Sequence, residues 1–561
     1  MRNRIRVMAI VLAFVIAIAV PVLAQTPNQT TLISAPAKAC VTAYYVSSTG
    51  NDNASGLSIQ NAWRSIAKVN KVTFNKGSCL FFEGGMVFPG SIYFDRADRG
   101  SPAQPIRVGS YGKGRATIVA SKSDGIYAYN TAGFEIRDLT IRGDANYTLR
   151  TNGISFYTDL ASNTKLPYIK IERVEVSQFG ANGIAIGSWN EASPYAGFAN
   201  VTLTEIEAHD NGDAGIMSYG YAPAKAAVRT AWPHSNFVLS RSRVYDNKGI
   251  PTKTTTFSGN GAVFGQVEGL VMEHNESFGN GSLSNGPSGG PVGLWAYDCK
   301  DVLMQFNESH HNSRGKAVAD GGGFNLDGGS VNSIVQFNYS HHNEGPGFLI
   351  AQYANAAPLK NLTFRYNISA YDGSRSSAGI SVWSDSRNPF GVQNAYFLHN
   401  TVITDQGAAQ VVKVQGGSIS NVFFANNIFL ARSPMLLVSA DQPFSSVNFY
   451  GNYYWNTDGT FRVHWNGTTY RSLRAWRAIS KELHSGAATG ANTDPLLLNP
   501  SQALTVRNRD FSLLSPYYSL APNSLARSAG LNLSAFNLAP SGRDFFRRSV
   551  NRLLPSVGAA Q

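Results

Sequence analysis

Short segments in which apolar and polar residues alternate recur along most of the chain. The alternation has the two-residue period that is typical of β-strands, and Gly, Asn and Asp residues separate the segments. Seven segments also share an asparagine placed three residues after an apolar position. These asparagines are Asn275, Asn307, Asn338, Asn367, Asn400, Asn427 and Asn452, and successive ones are 25 to 33 residues apart. The spacing predicts a repeat protein.

A second short strand, opened by glycine, recurs in the same units. Its copies are GISFY (153–157), GIAIGSW (183–189), GIMSY (215–219), GLWAYD (293–298), GFNLD (323–327), GFLIAQ (347–352) and GISVW (379–383). Weaker copies of the first pattern lie upstream, with Leu139, Val174, Ile206 and Ser242 at the asparagine position. No unit contains a helical crossover. Units of this size cannot bury their apolar faces alone, so we expect them to stack as coils of parallel strands.

With these features the chain resembles the right-handed parallel β-helix proteins, specifically the exported carbohydrate-active kind. Residues 44–88 are similar to the N-terminal cap and first coils of that group. DPLLLNP (494–500), NRDFSLLSP (508–516) and SVGAAQ (556–561) are similar to its C-terminal closure. The resemblance implies an all-β parallel β-helix in which the repeated asparagines stack into an internal, structural ladder.

The predicted organisation is one solenoid domain behind an export signal. Residues 1–24 read as a signal peptide, with a basic start, an apolar stretch and small residues before the cleavage position, and 25–43 as a linker. The β-helix domain then spans 44–561, with cap and first coils at 44–120, an inserted helical segment at 453–492 and the C-terminal closure at 493–561. In that insert Leu473, Trp476, Ile479 and Leu483 lie at helical spacing, and Trp476 is expected to be a core residue. We therefore expect a periplasmic or extracellular protein without a membrane span after signal cleavage; an uncleaved anchor is the alternative.

Charge and cysteine content add two expectations. The chain of 561 residues has a net charge of +12, and the signal peptide contains three arginines and no acidic residue, so +9 remains after cleavage. Such a protein would suit an acidic polysaccharide, although a generally cationic surface explains the charge equally well. No Lys/Arg run is interleaved with aromatic residues, so nucleic acid is not expected as a partner. Cys40 and Cys79 could form a disulfide, Cys299 is expected to be buried, and no cysteine spacing suits zinc.

Three aspartates are the candidate catalytic groups. Alignment of GLWAYD with GFNLD places Asp298 over Asp327 in the next coil, and Asp320 precedes three glycines that would let a substrate approach the backbone. Neighbouring carboxylates raise each other's pKa, so that one can act as acid while another stays ionised. Two alternatives remain: aspartate before glycine also forms ordinary turns, and the same oxygens could bind calcium.

Two histidines and a lysine complete the catalytic candidates. His310 and His341 should point outward and stack on each other, with His209 further along the same ladder, as bases, sugar contacts or chemically idle surface groups. Lys316 lies close to the aspartates along the chain. A lyase needs a base beside the C5 proton of a uronate, and Lys316 is the candidate for that role, with an ordinary surface lysine as the alternative.

Aromatic residues on the strands near the aspartates are candidates for substrate binding, because pyranose rings have apolar faces that stack on such side chains. The candidates are Trp295, Tyr297, Tyr353 and Trp383, together with Asp385. If the strands alternate in the opposite sense, the same aromatic residues belong to the core.

Two short stretches are similar to motifs of known families, but neither is complete. Asn456-Thr457-Asp458 matches a polygalacturonase motif without its partners, and Val382 to Asp385 matches a pectate-lyase motif without its terminal histidine. We therefore transfer no catalytic residue from either family.

The sequence thus predicts an exported enzyme that cleaves a polysaccharide, with hydrolysis by the clustered aspartates favoured. This reaction requires no cofactor. A calcium-assisted lyase acting on an acidic polysaccharide is one alternative, and a non-catalytic glycan-binding surface protein is another.

Overall fold

Three parallel β-sheets wind together into a β-helix in the computed structural model. It describes residues 40–560 except 223–227, 287–288, 317–318, 376, 406–409, 433–434, 508–509, 537 and 539–540, and the side chain of residue 535. The predicted signal peptide 1–24 and most of the linker lie outside the described residues. Each strand pairs with the equivalent strand of the next coil, so neighbours in a sheet are separated by one full turn of the chain. The predicted all-β parallel β-helix is confirmed.

The first sheet has fourteen strands within the described residues. In spatial order they are Thr42–Val46, Ser78–Glu83, Ile106–Tyr111, Phe134–Arg137, Lys165–Glu172, Gly197–Thr204, His234–Ser240, Val267–Glu273, Lys300–Gln305, Val331–Gln336, Leu359–Arg365, Val392–Leu398, Ile419–Ala425 and Val447–Tyr450.

The second sheet also has fourteen described strands, and it is the sheet that bears the candidate aspartates. They are Ile92–Phe94, Ile126–Tyr129, Ile154–Thr158, Asn182–Ser188, Ala214–Tyr219, Asn260–Gly265, Val292–Tyr297, Gly322–Asp327, Phe348–Gln352, Ala378–Ser384, Gln410–Gly416, Leu436–Ala440, Val463–Trp465 and Thr468–Tyr470. The last two pair antiparallel and end the sheet.

The third sheet has thirteen described strands, most of them three residues long. They are Val87–Pro89, Ala116–Val119, Leu139–Arg142, Glu175–Ser177, Glu207–His209, Arg243–Tyr245, Glu276–Phe278, Glu308–His310, Tyr339–His341, Ile368–Ala370, Thr401–Thr404, Ile428–Ala431 and Tyr453–Asn456. A hairpin of Leu483–His484 and Ala487–Ala488 stands apart from the three sheets.

Helices are short and lie near the two ends of the described sequence. The α-helices are Ile66–Val69, Leu473–Arg477 and Ser515–Tyr518, and the 3₁₀ helices are Ile59–Asn61, Phe511–Leu514 and Leu533–Phe536. None of the helices in the described part of the chain is long and apolar enough to span a bilayer.

The predicted helix at the C-terminal insert is shorter than its periodicity indicated. It begins after Ser472, whose hydroxyl accepts a hydrogen bond from the Ala475 amide, and it ends at Arg477. Trp476 is fully buried, as predicted, but Leu483 lies in the hairpin and not on the helix. The chain turns because Glu482 reaches into the core, where its carboxylate accepts a hydrogen bond of 2.7 Å from the Asn452 amide.

The asparagine ladder is confirmed along its whole predicted length. Each side-chain amide donates to the Oδ1 atom of the next asparagine, from Asn275 to Asn452, over distances of 2.9 to 3.1 Å. The same amides donate to backbone carbonyls of the preceding coil, as Asn307 does to Met272. Because these groups are buried, the ladder satisfies polar backbone atoms at the turn between the first and third sheets.

A disulfide joins Cys40 to Cys79, as proposed from the sequence, and ties the start of the described chain to the second strand of the first sheet. Cys299 is a free, buried thiol, also as predicted.

Candidate active site on the second sheet

The outer face of the second sheet holds the candidate acidic residues. In strands Val292–Tyr297 and Gly322–Asp327, Leu294, Ala296, Phe324 and Leu326 point into the core and are fully buried. The alternate residues therefore face outward, and the register pairs Trp295 with Asn325 and Tyr297 with Asp327. The aromatic candidates are thus on the outer face, as the sugar-binding hypothesis requires.

Asp298 is not stacked on Asp327, in contrast to the sequence alignment. Tyr297 holds that register position, and the Asp298 amide donates to the carbonyl of Gly328. Asp298 has a positive φ of 51°, so the chain turns there and the carboxylate points to the side of the strand. Its carboxylate forms an ion pair with Arg229, and its carbonyl accepts a hydrogen bond from the Trp232 indole.

Through these contacts Asp298 holds the segment that contains Arg229 and Trp232 against the sheet. Burial raises the pKa of Asp298 to about 6, against the opposing effect of Arg229. With both oxygens engaged in the ion pair or close to it, the carboxylate is not presented to a substrate. The predicted patch of three aspartates is therefore a pair in the structure.

Asp320 and Asp327 form that pair. Asp320 precedes strand Gly322–Asp327, and one of its oxygens accepts a hydrogen bond of 2.8 Å from the Gly290 amide. A side chain at Gly290 would collide with the carbonyl of Ala319, so glycine there permits the approach. Asp327 ends the strand on its outer face, and its Oδ1 atom has no hydrogen-bond partner among the described residues.

The two carboxyl groups influence each other electrostatically. Burial raises the pKa of Asp320 to about 6. Burial and the negative charge of Asp320 together raise the pKa of Asp327 well above its usual range. A negative charge on one carboxyl group disfavours ionisation of the other. Acid–base and nucleophilic chemistry at a glycosidic bond uses carboxyl groups whose pKa values are shifted in this way.

The aromatic residues near the pair differ in accessibility. Trp295 is only 4% exposed: its indole donates to Asn260, and Phe257 covers it with its ring centre 5.3 Å away. Tyr297 is half-buried, and Tyr353 is 38% exposed. Burial and then the charge of Asp327 raise the pKa of Tyr353, and its ring lies against Gly328, the residue that follows Asp327.

Trp383 and Asp385 lie further along the same face. Trp383 pairs with Ala351, two coils beyond Asp327, and is half-buried on the outer side. Asp385 forms a two-pronged ion pair with Arg387, whose hydrogen bonds lower the pKa of the carboxyl to about 2.

His310 and His341 lie on the third sheet, so the structure does not bring them to the acidic pair. They stack as predicted, with ring centres 4.6 Å apart, and Phe278, Tyr245 and His209 continue the stack. Both histidines are buried, however, because the C-terminal segment crosses them: the Val506 amide donates to Glu308, which also contacts His341. The expectation that they are exposed next to the aspartates is wrong.

Lys316 is exposed in the turn that leads to Asp320, and its backbone amide donates to Ser284. Potential metal ligands within 4.8 Å of one another occur in two groups of the described residues, His310 with His311 and His341, and Glu276 with Glu308 and His310. Both groups lie on the third sheet and its adjoining turn. A calcium site at the aspartates stays a prediction.

The sequence analysis missed a second buried ladder and the anchor of Asp298. Asn211, Asn247, Asn280, Asn312 and Asn343 are joined by side-chain hydrogen bonds, and Asp372 ends the row. The second ladder could have been predicted, because an asparagine recurs five positions after several asparagines of the first ladder. The contact between Arg229 and Asp298 could not, because 69 residues separate the two and no repeated pattern links them.

Comparison with known proteins agrees with this architecture. The family model described as "Right handed beta helix region" matches residues 117–367. The strand topology shows a parallel β-helix, and this match, which covers less than half of the chain, agrees with that fold. The resemblance to that group is thereby confirmed.

Individual relatives are distant. A lacto-N-biosidase from Bifidobacterium longum subsp. longum is 24% identical in a match 480 residues long that covers 69% of this chain but only 29% of that protein. The crystal structure of a GH136 lacto-N-biosidase from Eubacterium ramulus superposes with a TM-score of 0.51 and 18% identity, over 74% of this chain and 67% of that one. A pectate lyase structure has a TM-score of 0.41 and 16% identity, over 93% of this chain and 97% of that one.

Proposed function

We propose that the protein is a glycoside hydrolase and that Asp320 and Asp327 carry out the cleavage. The observation that supports this most is the pair of carboxyl groups on the second sheet, in which the Oδ1 atom of Asp327 has no hydrogen-bond partner within the described part of the chain. A buried polar atom without a partner is costly, so its retention favours a role toward a ligand. The relative named lacto-N-biosidase is consistent with hydrolysis of a glycan.

In the proposed reaction one carboxyl protonates the oxygen of the leaving sugar while the other attacks the anomeric carbon. The glycosidic C–O bond breaks, and a covalent glycosyl–enzyme ester forms. Water then cleaves the ester, and the first carboxylate takes up the proton of that water. We favour this retaining route because the negative charge of Asp320 raises the pKa of Asp327, as a neighbouring carboxylate does. Proton NMR of the first product would test it: retention of the anomeric configuration is expected, and inversion would contradict it.

The site residues are tested by single substitutions. Asp320→Asn and Asp327→Asn should each lower kcat by at least about 100-fold, since each removes a proton donor or a nucleophile. The fold of both variants should persist, because an asparagine side chain has nearly the same volume as an aspartate side chain. The matched control is Asp301→Asn, whose exposed carboxylate lies on the first sheet and should leave activity unchanged. Wild-type rates in both site variants would rule out this assignment.

A rescue experiment assigns the two roles. Azide should restore turnover to the glycine variant of the nucleophile and yield a glycosyl azide of inverted configuration. The acid variant should instead keep activity only toward substrates whose leaving group needs no protonation. Identical behaviour of both glycine variants would contradict a division of labour between the two carboxyls.

A further inference from the structure

A row of tyrosines extends from the acidic pair toward the N-terminal end of the second sheet. In successive coils the residues at this position of the strand pair with one another. Tyr129 pairs with Tyr157, Tyr157 with Gly187 and Gly187 with Tyr219; further along the same sheet Gly265 pairs with Tyr297 and Tyr297 with Asp327. We call Tyr129, Tyr157, Tyr219 and Tyr297 the tyrosine track. All four are half-buried on the outer face, and the rings of Tyr129 and Tyr157 stack with their centres 6.3 Å apart.

Two glycines in the same row set the orientation of the rings. A Cβ atom at Gly187 would lie 2.2 Å from Cζ of Tyr219, and one at Gly265 would lie 2.2 Å from Cζ of Tyr297. Each phenol ring therefore leans over the glycine of the preceding coil. The repeated tyrosine-on-glycine arrangement yields flat aromatic platforms two coils apart, which is about 10 Å at the coil spacing of a parallel sheet. Two pyranose rings of an extended chain span a similar length.

A polar row lies at the start of the same strands, whereas the track lies near their ends. The Asn152 backbone amide donates to Asp124 over 2.7 Å, and the Asn182 side-chain amide donates to Asn152 over 2.9 Å. Asn182 is 6% exposed, and its Oδ1 atom has no hydrogen-bond partner among the described residues.

Comparison with Asn260, the equivalent asparagine nearer the acidic pair, explains why the Oδ1 atom of Asn182 has no hydrogen-bond donor among the described residues. Asn260 occupies the same register, and its Oδ1 atom accepts the indole hydrogen of Trp295 from the next coil. In the coil after Asn182, Met217 stands where Trp295 would be, and methionine has no hydrogen to donate. A buried acceptor without a hydrogen-bond partner among the described residues is suited to a sugar hydroxyl.

The charges along the track favour an uncharged glycan. Asp124 borders the polar row, and Asp159 accepts hydrogen bonds from the Tyr129 hydroxyl. These carboxylates would repel a uronate chain.

From these observations we propose that the tyrosine track binds an extended neutral oligosaccharide that runs along the solenoid axis toward Asp320 and Asp327. The direction toward that pair rests on the proposed function, whereas binding itself does not. The row from Tyr129 to Asp327 spans six coil steps, about 29 Å, and so accommodates a chain with about one sugar per coil.

Binding is measured with the inactive Asp327→Asn full-length chain, so that failure of the track and failure of hydrolysis are separate results. The probe is an array of linear di- to hexasaccharides of glucose, galactose, mannose, xylose and N-acetylglucosamine, with galacturonate oligomers alongside. We expect at least one neutral series to bind, with affinity rising at least tenfold from disaccharide to hexasaccharide. No binding, length-independent binding or preference for galacturonate would overturn the proposal.

Substitutions then locate the binding surface. Tyr157→Ala and Tyr219→Ala should each weaken hexasaccharide binding about tenfold and leave disaccharide binding within twofold. Gly187→Val should do the same by displacing the Tyr219 ring without removing it. The control is Tyr396→Ala, a half-buried tyrosine stacked on Phe423 in the first sheet. Equal hexasaccharide affinity in all four variants would place the binding surface elsewhere.

Discussion

At the level of single residues, the acidic pair combines a chemical advantage with a cost in stability. Folding raises the pKa of Asp320 from 3.8 to about 6, chiefly because burial disfavours its charge. The folded protein therefore binds this proton more tightly than the unfolded chain. As the pH rises from about 4 to about 6, the unfolded chain gives up the proton first, and stability falls.

This cost predicts that the inactive variant is the more stable one. Asp320→Asn should raise the free energy of unfolding at pH 7 by on the order of 1–2 kcal/mol, allowing for partial exposure of the group to solvent. The difference should disappear below about pH 3, where Asp320 of the wild type is largely protonated in both the folded and the unfolded state. Thermal melts of the two proteins between pH 3 and pH 8 provide the measurement, with Asp301→Asn as control. A variant less stable than wild type at pH 7 would contradict the raised pKa.

Sequence reasoning selected Asp320 and Asp327 as candidates because glycines follow them and a period-two strand leads to Asp327. It misplaced Asp298 and the histidines for a common reason. Their environments are made by segments distant in sequence, Arg229 for Asp298 and Val506 for the Glu308–His341 contact. A repeat pattern describes contacts between successive coils and contains no information about segments that fold back across them.

At the level of elements, the internal ladder converts a repeated residue into a continuous structure. The Asn338 side chain donates to Met304 and Asn367, and its Oδ1 atom accepts two hydrogen bonds from Asn307. The sequence was sufficient to predict this ladder, because its asparagines recur at a constant place in each coil. It was insufficient for the C-terminal helix, whose periodicity continued past the point where Glu482 turns into the core.

The ladder can be tested at one rung. Asn338→Ala leaves buried groups of Met304 and Asn307 without partners and should destabilise the protein by about 3–5 kcal/mol. Asn361→Gly is the control, since Asn361 belongs to an exposed asparagine row, bonds to Asn332 and has a positive φ of 60° that glycine accepts. Its cost should stay below about 1 kcal/mol. Denaturant unfolding measures both, and similar losses would argue against the buried ladder as a main source of stability.

At the level of the whole molecule, the solenoid separates its faces by role. The third sheet is covered in part by the C-terminal segment, through contacts such as that between the Tyr339 and Tyr518 hydroxyls. The second sheet bears the acidic pair and the tyrosine track on its outer face. The repeat period was enough to predict the solenoid and its strands, whereas the choice of the covered face depends on the non-repetitive C-terminal closure.

The most direct test of the central claim is to incubate the protein with a panel of neutral and uronate-containing glycans. New reducing ends and the absorbance of unsaturated uronates are followed together, with and without a chelator. A hydrolase that uses Asp320 and Asp327 should produce reducing ends without the absorbance of unsaturated uronates. Its activity should not change with the chelator, and the Asp327→Asn variant should show no activity. Absorbance that the chelator abolishes would instead establish a calcium-assisted lyase and contradict the account.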